Sequence, residues 1–177
     1  MTADRLLTVE EARERVFAAI PGPTESEVAW LSEGLGRVAA EHVMSPIALP
    51  PWDNSAMDGY AIRAGDTSAA RDAAPVQLDV IGEVRAGQPP AIEVRHGTAI
   101  RIATGAPVPP GADAVIPVER TTPLDAAGNA VGPRGRDATG PLPARIAAHT
   151  AVEPGGSIRR SGSDLAAGTQ IIGPGTQ

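Results

Sequence analysis

The chain has 177 residues, 42% of them hydrophobic, with a formal net charge of −6 and a pI near 5.0. That length holds one sizeable or two small domains with enough apolar material for a core, and the acidic balance argues against nucleic acid or an anionic membrane surface as a partner held by bulk electrostatics. Zero cysteines exclude disulfides, thiolate metal sites and thiol nucleophiles within the chain, and no run approaches the roughly 18 apolar residues of a membrane-spanning helix, so a soluble cytoplasmic protein is the default expectation.

The only aromatics are Phe17, Trp30, Trp52 and Tyr60, which leaves Val, Ile, Leu and Ala to build the core. Eighteen prolines and twenty glycines imply many turns and short elements, so the fold class expected is mainly β with short helices (α+β). All fifteen basic residues are arginine. The guanidinium fork suits phosphate or carboxylate, but the absence of lysine fits codon composition better than a functional choice.

In chain order, Thr8-Val9-Glu10-Glu11 forms a capping box. Val9, Ala12, Val16 and Ala19 follow at three- and four-residue spacing, which predicts an N-terminal amphipathic helix over Thr8 to Ile20, stopped by Pro21-Gly22-Pro23. Glu27 to Leu31 alternates enough for a short strand, and Ser32 to Val38 allows two helical turns. Then comes Pro50-Pro51-Trp52-Asp53-Asn54-Ser55-Ala56-Met57-Asp58-Gly59, with two carboxylates, an amide and a hydroxyl, feeding a strand from Tyr60 to Arg63. Prolines forbid regular structure on its entry side, Asp, Asn and Ser bond nearby backbone, and Asp-Gly is a turn pair. These residues alone leave open both a structural turn anchored by Trp52 and Tyr60 and a functional loop.

Val76, Leu78 and Val80 alternate with Gln77 and Asp79 as a half-buried strand does, and further strands are predicted at Ala91 to Arg95, Ala99 to Ala103 and Ala114 to Val118, giving a compact antiparallel β-domain. Thr121 to Pro143 loses periodicity and reads as a surface excursion or a hairpin with a mobile tip, disordered near Arg134 to Gly140. Short strands are predicted around Ser157 to Arg160 and Thr169 to Ile172. The chain stops at Gln177 directly after a turn, which reads as a boundary inside something longer. His42, His96 and His149 share no ligand spacing, and no phosphate-cradling glycine loop occurs.

Three loops hold residues capable of chemistry: Asp53 to Gly59, Ala103 to Pro107 and Arg159 to Asp164. Together, Leu49-Pro50-Pro51-Trp52-Asp53-Asn54-Ser55-Ala56-Met57-Asp58-Gly59-Tyr60-Ala61, the run Thr104-Gly105-Ala106-Pro107-Val108-Pro109-Pro110-Gly111-Ala112-Asp113-Ala114-Val115, and the turn Ile158-Arg159-Arg160-Ser161-Gly162-Ser163-Asp164 resemble the signatures of the molybdopterin molybdenumtransferase family. The resemblance runs from about Leu6 to the end, except Thr121 to Ala148. It departs at Ser163, where the family usually places Glu, and at Ala103, where Met is common.

The resemblance implies an enzyme of molybdenum cofactor biosynthesis that inserts molybdate into the dithiolene of adenylylated molybdopterin, releasing AMP with Mg²⁺ as cofactor, in an elongated homodimer of four-domain protomers. Only the first two domains are resembled. By that analogy residues 1–24 carry the N-terminal helix, 25–47 and 148–177 form a discontinuous first domain, and 48–147 are an inserted β-domain. The catalytic cleft then lies against a third domain that this chain lacks, so the piece alone is expected to be inactive. Asp58, Thr104 and Asp164 fall at catalytic positions, Ser55 and Gly105 at cofactor-binding ones, and Asp58 at the metal. Asp53, Asn54 and Ser55 are expected mainly to shape the loop. A non-catalytic dimerisation or scaffold module is the alternative, and a generic β-domain ligand binder a weaker third reading.

Overall fold

The computed structural model describes residues 6–135 and 140–177. The chain divides into two compact units, one reaching to His42 and including Ile172–Gln177, the other Val43–Ile171.

In the first unit, helix α1 spans Val9–Ala18. The Thr8 hydroxyl accepts from the Glu11 amide at 3.2 Å, and the Glu11 carboxylate accepts from the Thr8 amide at 2.9 Å, satisfying two otherwise unpaired donors. None of its residues is buried. The strand predicted at Glu27 to Leu31 does not form. Residues 27–30 carry no regular structure and pair with no strand among the described residues, and Val28 and Trp30 lie exposed. Alternation marks a half-buried strand only where a neighbour completes the hydrogen bonds. A single 3-10 turn, Leu31–Glu33, stands in place of two helical turns.

The second unit is built on a six-stranded sheet of β3 (Gly59–Ile62), β4 (Val76–Val84), β5 (Thr98–Ile102), β6 (Ala114–Pro117), β7 (Thr121–Leu124) and β8 (Arg145–Ala148), ordered β6-β3-β5-β4-β8-β7. Alternate residues serve its two faces. Tyr60, Ile62, Leu78, Ala99, Ile116 and Ile146 join one apolar cluster, while Ala61, Val84, Ile100, Ile102, Ala106 and Val115 join the other. Both faces are thus covered, and the chain is mainly β with few helices.

The sheet is mixed rather than antiparallel, because β4 and β5 run parallel. Their link, Arg85 to Gly97, is long enough for the crossover that parallel neighbours require. It contains the stretch expected as a strand at Ala91 to Arg95, which is irregular. Pro89 and Pro90 supply no amide to a ladder, and the segment is held by single bonds, including the Val94 amide to the Pro110 carbonyl at 2.8 Å. Between Thr121 and Ala148 the chain forms a hairpin, β7 pairing antiparallel with β8. The disorder expected near its tip falls partly on residues 136–139, outside the described residues. Gly140 accepts from buried Arg101 at 2.6 Å, while the Arg101 guanidinium pairs with Glu83 at 2.9 Å.

Four short strands complete the structure: β1 (Val43–Met44) pairs with β10 (Gln170–Ile172), and β2 (Asn54–Ser55) with β9 (Ile158–Arg159). Ser45 and Leu49 donate to the carbonyls of Thr169 and Leu165, each at 2.8 Å. The segment entering the β-domain therefore runs beside the segment leaving it. No helix among the described residues is long and apolar enough to cross a membrane.

Candidate functional site

The three loops meet at β2. On one edge, Asn54 pairs with Arg159 and Ser55 with Ile158, and the Ala56 amide donates to the Ser157 carbonyl at 2.9 Å. On the other, Ser55 donates to Ala106 at 3.0 Å and accepts from Gly105 at 2.8 Å, while Val108 donates to Asp53 at 3.0 Å. Asn54 and Ser55 are buried. The Ser55 hydroxyl donates to the Met57 carbonyl at 2.5 Å, so this residue turns the chain from β2 toward Asp58 and does not present its side chain outward.

Ala103 to Ala106 is a tight turn closed by the Ala106 amide on the Ala103 carbonyl at 3.0 Å, with Thr104 and Gly105 at its tip. Gly105 has φ +79°, the left-handed value that the third residue of a type II turn requires, and space around it is open. Across from it, Asp58 Oδ1 accepts both the Thr104 amide and the Thr104 hydroxyl, each at 2.7 Å. The next residue, Gly59, lets β3 lie close against β6: a Cβ there would lie 2.1 Å from the Ile116 carbonyl oxygen. Asp58, Thr104 and Gly105 are all exposed.

Asp164 lies in the third loop, where Arg159 holds its carboxylate at 2.5 Å and its amide donates to the Leu49 carbonyl at 2.9 Å. It makes no hydrogen bond to Asp58 or Thr104. Asp53 ties this loop to the first: its carboxylate accepts the Ser161 amide at 2.8 Å and the Arg160 guanidinium at 2.6 Å. Those two donors, the amide first, hold the Asp53 carboxyl below its ordinary value.

Three carboxylates thus occur in the joined loops, and two have a guanidinium. Asp53 pairs with Arg160 and Asp164 with Arg159; Asp58 has no cationic partner among the described residues and only the two neutral donors of Thr104. Its Oδ2 receives no hydrogen bond from them. The described residues contain no group of three or more His, Cys, Asp and Glu side chains fit to hold a metal. Such a donor set fits Mg²⁺ only as a single carboxylate shared with substrate phosphate and water, a mode common for that ion.

Sequence reasoning missed the Asp53 to Arg160 tie, whose partners are 107 positions apart, and an apolar groove beside Trp52. Gly87-Gln88-Pro89-Pro90 reads locally as turn chemistry, yet it forms one wall of that groove.

Fold and site together define a mixed-sheet β-domain carrying an exposed carboxylate and hydroxyl on loops sewn together by a buried two-residue strand. The chain belongs to the family described as MoeA N-terminal region (domain I and II), which it matches over residues 7–177. It is 40% identical over 162 residues to molybdopterin molybdenumtransferase 2 of Mycobacterium tuberculosis, covering 92% of this chain and 36% of that protein. It is 36% identical to the molybdopterin molybdenumtransferase of Haemophilus influenzae, covering 97% and 37%. A crystal structure of the molybdopterin biosynthesis MoeA protein from Pyrococcus horikoshii superimposes with a TM-score of 0.72 at 35% identity, over 96% of this chain and 38% of that one. The chain spans little more than a third of the length of these relatives.

Proposed function

We propose that this chain is the N-terminal part of a molybdopterin molybdenumtransferase acting in the cytoplasm in molybdenum cofactor biosynthesis. Its joined loops form one wall of a site where molybdate enters the dithiolene of adenylylated molybdopterin and AMP leaves. The observation that carries this reading is the state of Asp58, the one carboxylate of the three loops left without a guanidinium and fixed in place by Thr104.

Both substrates are anionic, so a bare carboxylate does not bind them directly. Asp58 Oδ2 would orient a water, or would be the residue that holds Mg²⁺, an ion that would supply charge compensation for the anionic substrates. Thr104 keeps Asp58 at one rotamer and presents a hydroxyl to the ligand, and Gly105 lets backbone come close. Asp164 is the outer carboxylate of the site, its charge met in part by Arg159. Ser55 acts as a positioning residue.

The remaining wall comes from the part of the relatives' length that this chain does not span, so the chain alone does not turn over. Residues 25–47 and 148–177 make a discontinuous first domain around the inserted 48–147, a division in keeping with the bond from the Ser45 amide to the Thr169 carbonyl. The complete protein is a homodimer.

In a protein of the relatives' full length, Asp58→Asn should lower molybdate insertion by about a hundredfold or more, the range of a positioned acid or base, while thermal unfolding is unchanged. Wild-type insertion by that variant sinks the assignment. A scaffold role is the second reading, favoured by the exposed apolar side chains Val28, Trp30, Leu31 and Leu35 in the first unit. A stable dimer of this chain by light scattering, with Asp58 dispensable for insertion, would support it.

A further inference from the structure

His96 and Asp66 form a carboxylate–imidazole pair that the roles assigned to Asp58 and Thr104 leave unused. Thr104 follows the end of β5, whereas His96 lies before its start. The Asp66 side chain, in the 3-10 turn Ala64–Thr67, is only 7% exposed. Its Oδ1 meets His96 Nδ1 at 2.6 Å and its Oδ2 accepts the Gly97 amide at 2.9 Å, so both oxygens hold the turn that leads into β5. Both ends of this tie are anchored: the Ala64 amide donates to Asp113 at 2.6 Å, and the Gly97 carbonyl accepts the Asp79 amide at 2.9 Å. The His96 side chain is nevertheless 84% exposed, and its Nε2 has no hydrogen-bond partner among the described residues. A carboxylate on Nδ1 selects the tautomer with the proton there, which leaves the lone pair of Nε2 open to solvent.

We propose that His96 is a modification site, independent of the function proposed above, whose Nε2 accepts a phosphoryl group from a small phosphoramidate-type donor. The Nε2 lone pair forms a bond to phosphorus, the donor's P–N bond breaks, and its nitrogen leaves with the electron pair as ammonia. With zwitterionic phosphoramidate no further proton moves. The product ring is a phosphorylated imidazolium that keeps its Nδ1 proton, and the Asp66 carboxylate, 2.6 Å away, meets the positive charge as it develops. Arg95 immediately precedes His96, is 78% exposed and is engaged by Glu93 only at 3.8 Å, so this corner offers an anionic donor a guanidinium. The step breaks no contact of the fold, because the phosphoryl group and Asp66 take opposite nitrogens. His149 lacks this arrangement: its side chain is 16% exposed, and its Nε2 is engaged by the Thr122 hydroxyl at 2.8 Å.

The test incubates the 177-residue chain with potassium phosphoramidate and reads the product by intact mass, phosphorus NMR and peptide mapping. The expected product carries one acid-labile phosphoryl group, on Nε2 of His96. It should form about tenfold faster than any label on His42, which is also exposed, the low end of what a carboxylate behind an imidazole contributes. Asp66→Asn should remove that advantage while the circular dichroism spectrum stays that of wild type, and His96→Gln should abolish the label. The isomer decides the matter even where Asp66→Asn does not fold: Asp66 covers Nδ1, so wild type should yield the Nε2 isomer alone. Label on Nδ1, no label on His96, labelling of His42 at an equal rate, or an unchanged rate in folded Asp66→Asn overturns the proposal.

Discussion

The Asp58 loop and the Arg159 to Asp164 loop are joined through the same strand, β2, yet opposite kinds of force hold their carboxylates. Asp58 is fixed by an amide and a hydroxyl, both neutral. Asp53, at the start of the same loop, and Asp164, in the third, are each closed by a guanidinium of the third loop. On the function proposed above, the carboxylate held only by neutral donors is the one that meets the substrate, Asp53 serves the loop scaffold, and Asp164, paired with Arg159, stands at the outer edge of the site.

Substitutions can break that contrast in order of size. Gly59→Ala is the most damaging, because its Cβ would stand 2.1 Å from the Ile116 carbonyl where β3 pairs with β6. Urea unfolding should register a loss of about 3 kcal/mol, the upper end for overpacking against fixed backbone. Thr104→Val removes one of the two donors to Asp58 and should cost about 1 kcal/mol, with Thr104→Ser recovering most of it, as a single net hydrogen bond would.

Asp53→Asn should cost less at pH 7, about 0.5 kcal/mol, since the pair with Arg160 is partly exposed and screened by water. It acts on the acid limb. The folded state holds the Asp53 carboxyl below its ordinary 3.8, so its contribution is present above that value and is lost as pH falls through the lower, folded one. Wild type should therefore lose stability more steeply than Asp53→Asn below about pH 4, read by urea midpoints across that range. The smallest effect is that of salt. Raising NaCl from about 0.05 to about 0.5 M should remove a few tenths of a kcal/mol from wild type and less from Asp53→Asn. Asp58→Asn should leave the salt response as in wild type.

The three loops of the candidate site were legible because each is contiguous: the Asp58 loop, the Thr104-Gly105 turn and the Arg159 to Asp164 turn each read as a unit. What joins them was not. The register of Asn54 with Arg159, or the tie from Asp53 to Arg160, is set by the path of the intervening hundred or so residues, and local periodicity holds no record of it. The same limit explains the sheet. Alternation in Val76 to Val84 marks a strand without saying which way its neighbour runs, and only the length of the link from Arg85 to Gly97 hinted at the parallel pairing with β5. Glu27 to Leu31 alternates as a strand does and finds no partner. Ser55 is buried and its hydroxyl donates to the Met57 carbonyl, a partner that its place after Asp53 and Asn54 does not specify.

The central claim, that Asp58 is the carboxylate kept for chemistry while Asp53 is kept for structure, is tested most directly by one paired measurement. Molybdate insertion and the acid unfolding limb are recorded for Asp58→Asn and Asp53→Asn in a protein of the relatives' full length. The account predicts that Asp58→Asn loses insertion, whereas Asp53→Asn keeps insertion and flattens the acid limb relative to wild type. Insertion surviving in Asp58→Asn and lost in Asp53→Asn would contradict it.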